Sequence, residues 1–226
     1  NRSNVAGYGT QVAEILAATM WPYDISNPPV FPNLEDRGKD AMLSLMNTVY
    51  HLIGAMYPGR DIGFGAAIQT WSSGNSRREE FRLGSLNGYE NPHQNIVLGT
   101  RNMATYPCQG STDIPSSFAP ADESPNPFPN LTLSSQKVGP PIYLKVDAGQ
   151  VLVLTSYSVK QNNTTIPVTL IDYNYDLSVA GEVGQNEVFL VPSVALTPYT
   201  TYQVTVSGTI NGTAFPGRSF SFSTGS

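Results

Sequence analysis

From residue 137 to the last residue, the chain is written almost wholly in short β-type runs. Residues 142–146, 151–159, 166–171, 188–191, 202–207 and 219–223 are rich in Val, Ile, Leu, Tyr, Phe and Thr, with Asp-Ala-Gly, Gln-Asn-Asn, Val-Gly-Gln-Asn and Ile-Asn-Gly among the separators. Turn formers at such short intervals leave no room for a helix and require strands to pair through tight connections. Tyr202, Val204 and Val206 alternate with Gln203, Thr205 and Ser207, which predicts a strand with one packed and one wet face. Asn211-Gly212 predicts a hairpin turn, because both positions tolerate the left-handed backbone that such turns need.

Residues 1–106 follow a different grammar. The stretch 12–20 reads as a short helix stopped by Trp21-Pro22, and 24–34, with Pro28, Pro29 and Pro32, as an irregular loop. A long helix is predicted over 36–56, with Glu35 and Asp36 at its positive end. Met42, Leu45, Met46, Val49, Leu52, Ile53 and Met56 fall on one stripe of it, at amphipathic spacing. His51 falls on the opposite side, about 180° from Met42, beside Asp40, Ser44 and Asn47. Strands are predicted over 62–71, 81–86 and 94–100, with a hairpin loop over 72–76 around Gly74-Asn75. The proline-rich residues 107–136, with Ser124-Pro-Asn-Pro-Phe-Pro129, form a stiff connecting segment. The organisation expected is therefore α+β: a mixed domain over 1–106, a connector over 107–136 and a β domain over 137–226.

Charge and cysteine narrow the function classes. Charged residues make up 13% of the chain, the net charge is −5 and the pI is near 4.9. No basic stripe is present, which argues against a nucleic-acid partner, and no apolar run is long enough to be a transmembrane segment. The single cysteine, Cys108, excludes an intramolecular disulfide framework. Abundant Asn, Ser, Thr, Gly, Pro and Tyr, with sequons at Asn130, Asn163 and Asn211, give an extracellular or cell-envelope character.

Four phrases carry two resemblances. Val12-Ala-Glu14-Ile-Leu, then Tyr50-His51-Leu-Ile-Gly-Ala-Met-Tyr-Pro58, then Ile62-Gly63-Phe-Gly65 stand in the order of the acidic, histidine and strand motifs of the CAP superfamily (cysteine-rich secretory, antigen 5 and pathogenesis-related proteins). The first half resembles that family in its bacterial form. Leu196-Thr-Pro-Tyr-Thr-Thr-Tyr202 resembles the corner of an immunoglobulin-like sandwich, where a tyrosine hydroxyl ties down a crossing. The resemblance implies a partial CAP-like α-β-α sandwich followed by an immunoglobulin-like sandwich. The family's first helix and first cleft histidine would lie upstream of Asn1, so association with that missing N-terminal segment, or a homodimer, is implied as well. Leu52 stands where the family has Arg or Tyr, and no carboxylate closer than Asp40 precedes His51.

The resemblance places Glu14 and His51 as a cleft pair. A carboxylate beside an imidazole could act as a general base on water or give two ligands to a divalent metal, with loop residue His93 as a conceivable third. No other cofactor is implied. The acidic residues Asp172, Asp176 and Glu182 among Tyr173 and Tyr175 suit either a plain turn or a calcium- or sugar-contacting loop. Three functions compete: binding of a lipid, envelope glycan or protein ligand through the cleft; a hydrolase completed by residues upstream; and a structural or adhesive surface protein on a degenerate scaffold.

Overall fold

The structure, a computed structural model, describes residues 12–59, 61–88, 96–176 and 181–226. Strand accounts for 47% of the residues and helix for 11%, so the chain is predominantly β. That overturns both the α+β class and the CAP-like α-β-α sandwich, which needs helical layers on both sides of its sheet. Contacts divide the chain into two units, one of residues 1–46 and 51–96, the other of residues 47–50 and 97–226.

In the first unit, β1 (Val12–Asp24), β2 (Asp61–Ser73) and β3 (Ser76–Gly88) form an antiparallel sheet in the order β1-β3-β2. Residues 12–20, expected as a helix, are strand. Val12 to Asp24 pairs without a break against Gly88 to Ser76, and this ladder overrides the helical preference of Ala, Glu, Leu and Met. Ile15 and Ala17 are buried while Glu14, Leu16 and Ala18 are exposed, the period-two pattern of a half-buried strand. The β2–β3 hairpin turns at Gly74-Asn75 as expected, and 25–33 is irregular as expected. Residues 96–100 hold no strand, and the rest of the strand expected over 94–100 lies outside the described residues.

Two helices follow β1: α1 (Leu34–Met46) and α2 (Val49–Ala55). Asn33 caps α1, its Oδ1 accepting the Asp36 N–H at 2.8 Å while its Nδ2 donates to the Asp36 carboxylate. The single helix expected over 36–56 is broken at Asn47-Thr48. Asn47 turns its amide onto the Ser117 carbonyl at 2.8 Å. The Glu123 carboxylate accepts the N–H groups of Val49 and Tyr50 at 2.9 and 2.6 Å, starting a new helix at a charge-assisted cap. Leu45, Val49 and Leu52 of the apolar stripe are buried, but so is Asn47, from the side expected to be wet. Glu123→Ala is expected to lower stability by about 2 kcal/mol, since one buried and one half-buried donor lose their acceptor. The denaturation midpoint, together with faster hydrogen exchange at Val49 and Tyr50, checks this.

The second unit contains two sheets on one core. One runs β4 (Ala104–Tyr106), β6 (Ile142–Lys145), β10 (Glu187–Pro192) and β9 (Val168–Asp172) in the order β4-β6-β10-β9. The other runs β5 (Ser111–Ile114), β13 (Arg218–Thr224), β11 (Thr201–Ile210), β7 (Leu152–Gln161) and β8 (Thr164–Ile166), with β12 (Thr213–Ala214) beside β11. Ile142, Leu144, Val188 and Leu190 from the first meet Val159, Val204, Val206 and Phe220 from the second, a β-sandwich core. The Tyr202 hydroxyl accepts the Thr197 N–H at 2.8 Å, the tie expected at that corner. Asn211 and Gly212 have φ of 51° and 75°, the left-handed pair of the expected hairpin. Residues 107–136 belong to this unit. Their Phe118, Glu123 and Phe128 are buried, and Phe118 bridges Val138.

Candidate functional site

Adjacent strand residues point to opposite faces of a sheet, so the first unit presents two different surfaces. On one, Ile15, Ala17, Phe81 and Leu83 pack with Ala41 and Leu45 of α1. Helix α2 approaches the same face closely: a Cβ on Gly54 would stand 2.7 Å from Ile15 Cγ2, and only glycine fits without a shift. On the other face, Glu14, Leu16, Arg82, Gly84, Leu86 and Gly65 line an open trough of about 830 Å³. Its floor is unusually bare. Gly63 and Gly65 of β2 have nothing within 4 Å of where a Cβ would be, so backbone and the flanking Leu16 and Leu86 are what a ligand would meet. Charge of both signs borders it: Glu14, Asp61 and Arg82, with Arg82 paired to Glu80 at 2.8 Å.

The residues expected to form the site are placed as follows. Glu14 lies on β1, exposed, at the trough. His51 lies on α2, half-buried, and is not among the residues lining the trough. Gly54, on the same helix, meets Ile15 on the sheet face opposite to Glu14. His93 lies outside the described residues. Among the described residues no group of three His, Cys, Asp or Glu side chains is placed to hold a metal ion, and none of the helices is long and apolar enough to cross a membrane.

In the acidic loop of the second unit, Asp172 and Asp176 spend their carboxylates on their own chain, and Glu182 is exposed. Asp172 Oδ1 accepts the N–H groups of Asn174 and Tyr175 at 2.9 and 3.0 Å. Asp176 accepts the Tyr50 hydroxyl at 2.8 Å and the Val183 N–H at 3.0 Å. That is the arrangement of an Asx-type turn. Cys108 is exposed and free.

Two buried charge clusters escaped the sequence reading. In the first unit the Arg37 guanidinium lies 4.4 Å from the Trp21 ring centre, 5.0 Å from Phe31 and 5.4 Å from Phe81. It also donates to Glu79 at 2.5 Å. In the second unit Lys145 pairs with Glu187 at 3.0 Å across β6 and β10, and the same Glu187 oxygen accepts the Tyr143 hydroxyl at 2.7 Å. Burial, reinforced by the Glu187 charge, pushes the Tyr143 phenol well above its ordinary range. In both clusters the cation already has its carboxylate, so each cluster ties its own unit together, although the buried Arg37 Nε finds no hydrogen-bond partner among the described residues. The proximity of Trp21, Tyr23 and Phe31 in sequence is a signal for the first cluster. For the second, Lys145 inside one apolar run and Glu187 just before another give a fainter one.

Comparison of the chain with protein families finds no match, and comparisons with curated proteins and with solved structures find none either. The CAP resemblance therefore fails twice, on the proportion of strand to helix and on the absence of any matching family.

Proposed function

We propose that this protein acts by binding, outside the cell or at a cell surface, and that its ligand surface is the glycine-floored trough of the three-stranded sheet. The observation that carries this reading is the bare floor: Gly63 and Gly65 leave open space above the backbone, between Leu16 and Leu86. Close approach to exposed backbone, apolar flanks and charges of both signs suit a polypeptide better than the other two ligand classes. An anionic bilayer would call for a basic patch, whereas the basic residue lining the trough, Arg82, is paired with Glu80.

Gly65→Trp fills the trough from its floor without touching the core and is the discriminating variant. The full chain is screened against a displayed polypeptide library, a glycan array, and vesicles of neutral and of anionic phospholipid. Polypeptide binders that lose roughly tenfold or more in affinity on Gly65→Trp are the expected result. Binding to glycans or vesicles alone would replace the ligand class. Binding that ignores Gly65→Trp, or turnover of peptide or glycan substrates that vanishes with His51→Ala, would overturn the reading.

A further inference from the structure

Strand β2 ends its sheet. One edge pairs with β3 from Asp61–Gly88 to Ser73–Ser76 with no shift in register, and among the described residues no strand pairs with its other edge. All thirteen of its residues are exposed. Natural sheets blunt such an edge with proline, lysine, inward charges or a bulge, because unpaired N–H and C=O groups are a template for another strand. The opposite edge of this sheet, β1, carries Pro22, Glu14 and Asp24. Strand β2 has neither proline, lysine, arginine nor bulge, and its single charge is Asp61 at the first position. Its helix-side residues Ile62, Phe64 and Ile68 extend the apolar face past Phe81 and Leu83, yet leave 50%, 60% and 45% of their surface in water.

We propose that β2 pairs antiparallel with β2 of a second copy of this chain, about a two-fold axis normal to the sheet at Ala67. The result is one six-stranded sheet in the order β1-β3-β2-β2-β3-β1. The register follows from symmetry. A two-fold normal to the sheet keeps each face on its own side, so every residue must meet one of the same parity, and centring on Ala67 pairs all thirteen. Phe64 then meets the partner's Thr70, Ala66 the partner's Ile68 and Gly63 the partner's Trp71, whose ring stands beside the bare glycine and walls the trough at its open side. Asp61 meets the partner's Ser73, so no like charges are opposed. At about 3.4 Å per residue the shared edge is about 44 Å long. This pairing of large residues with small ones, Gly63 with Trp71, Phe64 with Thr70 and Ala66 with Ile68, selects a second copy over an unrelated strand, and it holds whatever ligand the trough takes.

The test uses the full chain with Cys108→Ser, which removes the only native thiol. Ala67→Cys in that background sets two thiols face to face at a Cα separation of about 4.5–5.5 Å, within disulfide reach. Oxidation is expected to give a covalent species of twice the 24.4 kDa chain mass, whereas Gln69→Cys, displaced from the axis, stays uncrosslinked. Ala67→Lys, which opposes two ammonium groups on an exposed strand, is expected to weaken dimers roughly tenfold in sedimentation equilibrium with the circular dichroism unchanged. A wild-type chain that sediments as a monomer throughout, a Gln69→Cys variant that crosslinks as fast as Ala67→Cys, or dimers indifferent to Ala67→Lys would each overturn the proposal. A monomer would also be the outcome if another segment or another protein occupied the edge.

Discussion

Arg37→Ala is expected to destabilise the first unit by about 3–5 kcal/mol, the cost of breaking a buried ion pair by deleting one partner. The Arg37 side chain is only 3% exposed and its Glu79 partner 14%, so the stranded carboxylate gains little from water. Three rings also lose the cation that lies against them. Arg37→Lys should recover little of this. An ammonium is a compact point charge, and the planar guanidinium is what stacks on Trp21 while reaching Glu79. Both tryptophans, Trp21 and Trp71, belong to the first unit, so tryptophan fluorescence during urea unfolding reports on this unit alone. A midpoint unchanged by Arg37→Ala would mean that the aromatic cluster holds without its cation.

Lys145→Met in the second unit should cost a similar amount, about 3–5 kcal/mol, because Glu187 keeps its charge in a fully covered site. The informative experiment is the double variant. Lys145→Met combined with Glu187→Leu removes both charges together and is expected to return most of the lost stability, as paired replacement of buried ions by apolar groups commonly does. Recovery would not be complete, since the Tyr143 hydroxyl and the Gly184 N–H also lean on Glu187, at 2.7 and 3.2 Å. Far-UV circular dichroism against urea, run on the four members of the cycle, gives the coupling directly. Strict additivity of the two single effects would show that the pair is not a unit.

The β half of this chain was legible because its strands announce themselves one by one. Alternation over Tyr202–Ser207, turn formers at fixed intervals and Asn211-Gly212 are local signals, and the local signal agrees with the final fold. The first half was legible only where the same held, in the hairpin around Gly74-Asn75. Strand β1 misled because Leu16 and Met20 are apolar on an exposed face, which blurs period two, and because the ladder that fixes it lies more than fifty residues away in β3. The break between α1 and α2 depends on Glu123, 74 residues beyond Val49, and no window of sequence contains both. The CAP resemblance rested on three short phrases, and short phrases say nothing of the proportion of strand to helix on which it failed. For the candidate site, the sequence reading set Glu14 across a cleft from His51, whereas Glu14 borders a trough that His51 does not line. That surface is made of glycines and of an unprotected strand edge, and glycine carries no side-chain signature to read.

The assignment of residues 47–50 to the second unit, between two stretches that belong to the first, has a practical corollary. The backbone passes from one unit to the other three times, so neither can be excised by a single cut. A fragment beginning at residue 97 would leave behind Asn47, Val49 and Tyr50, and with them the hydrogen-bond partners of Ser117, Glu123 and Asp176. The two units are thus interleaved in sequence, and truncation alone yields neither of them whole and by itself.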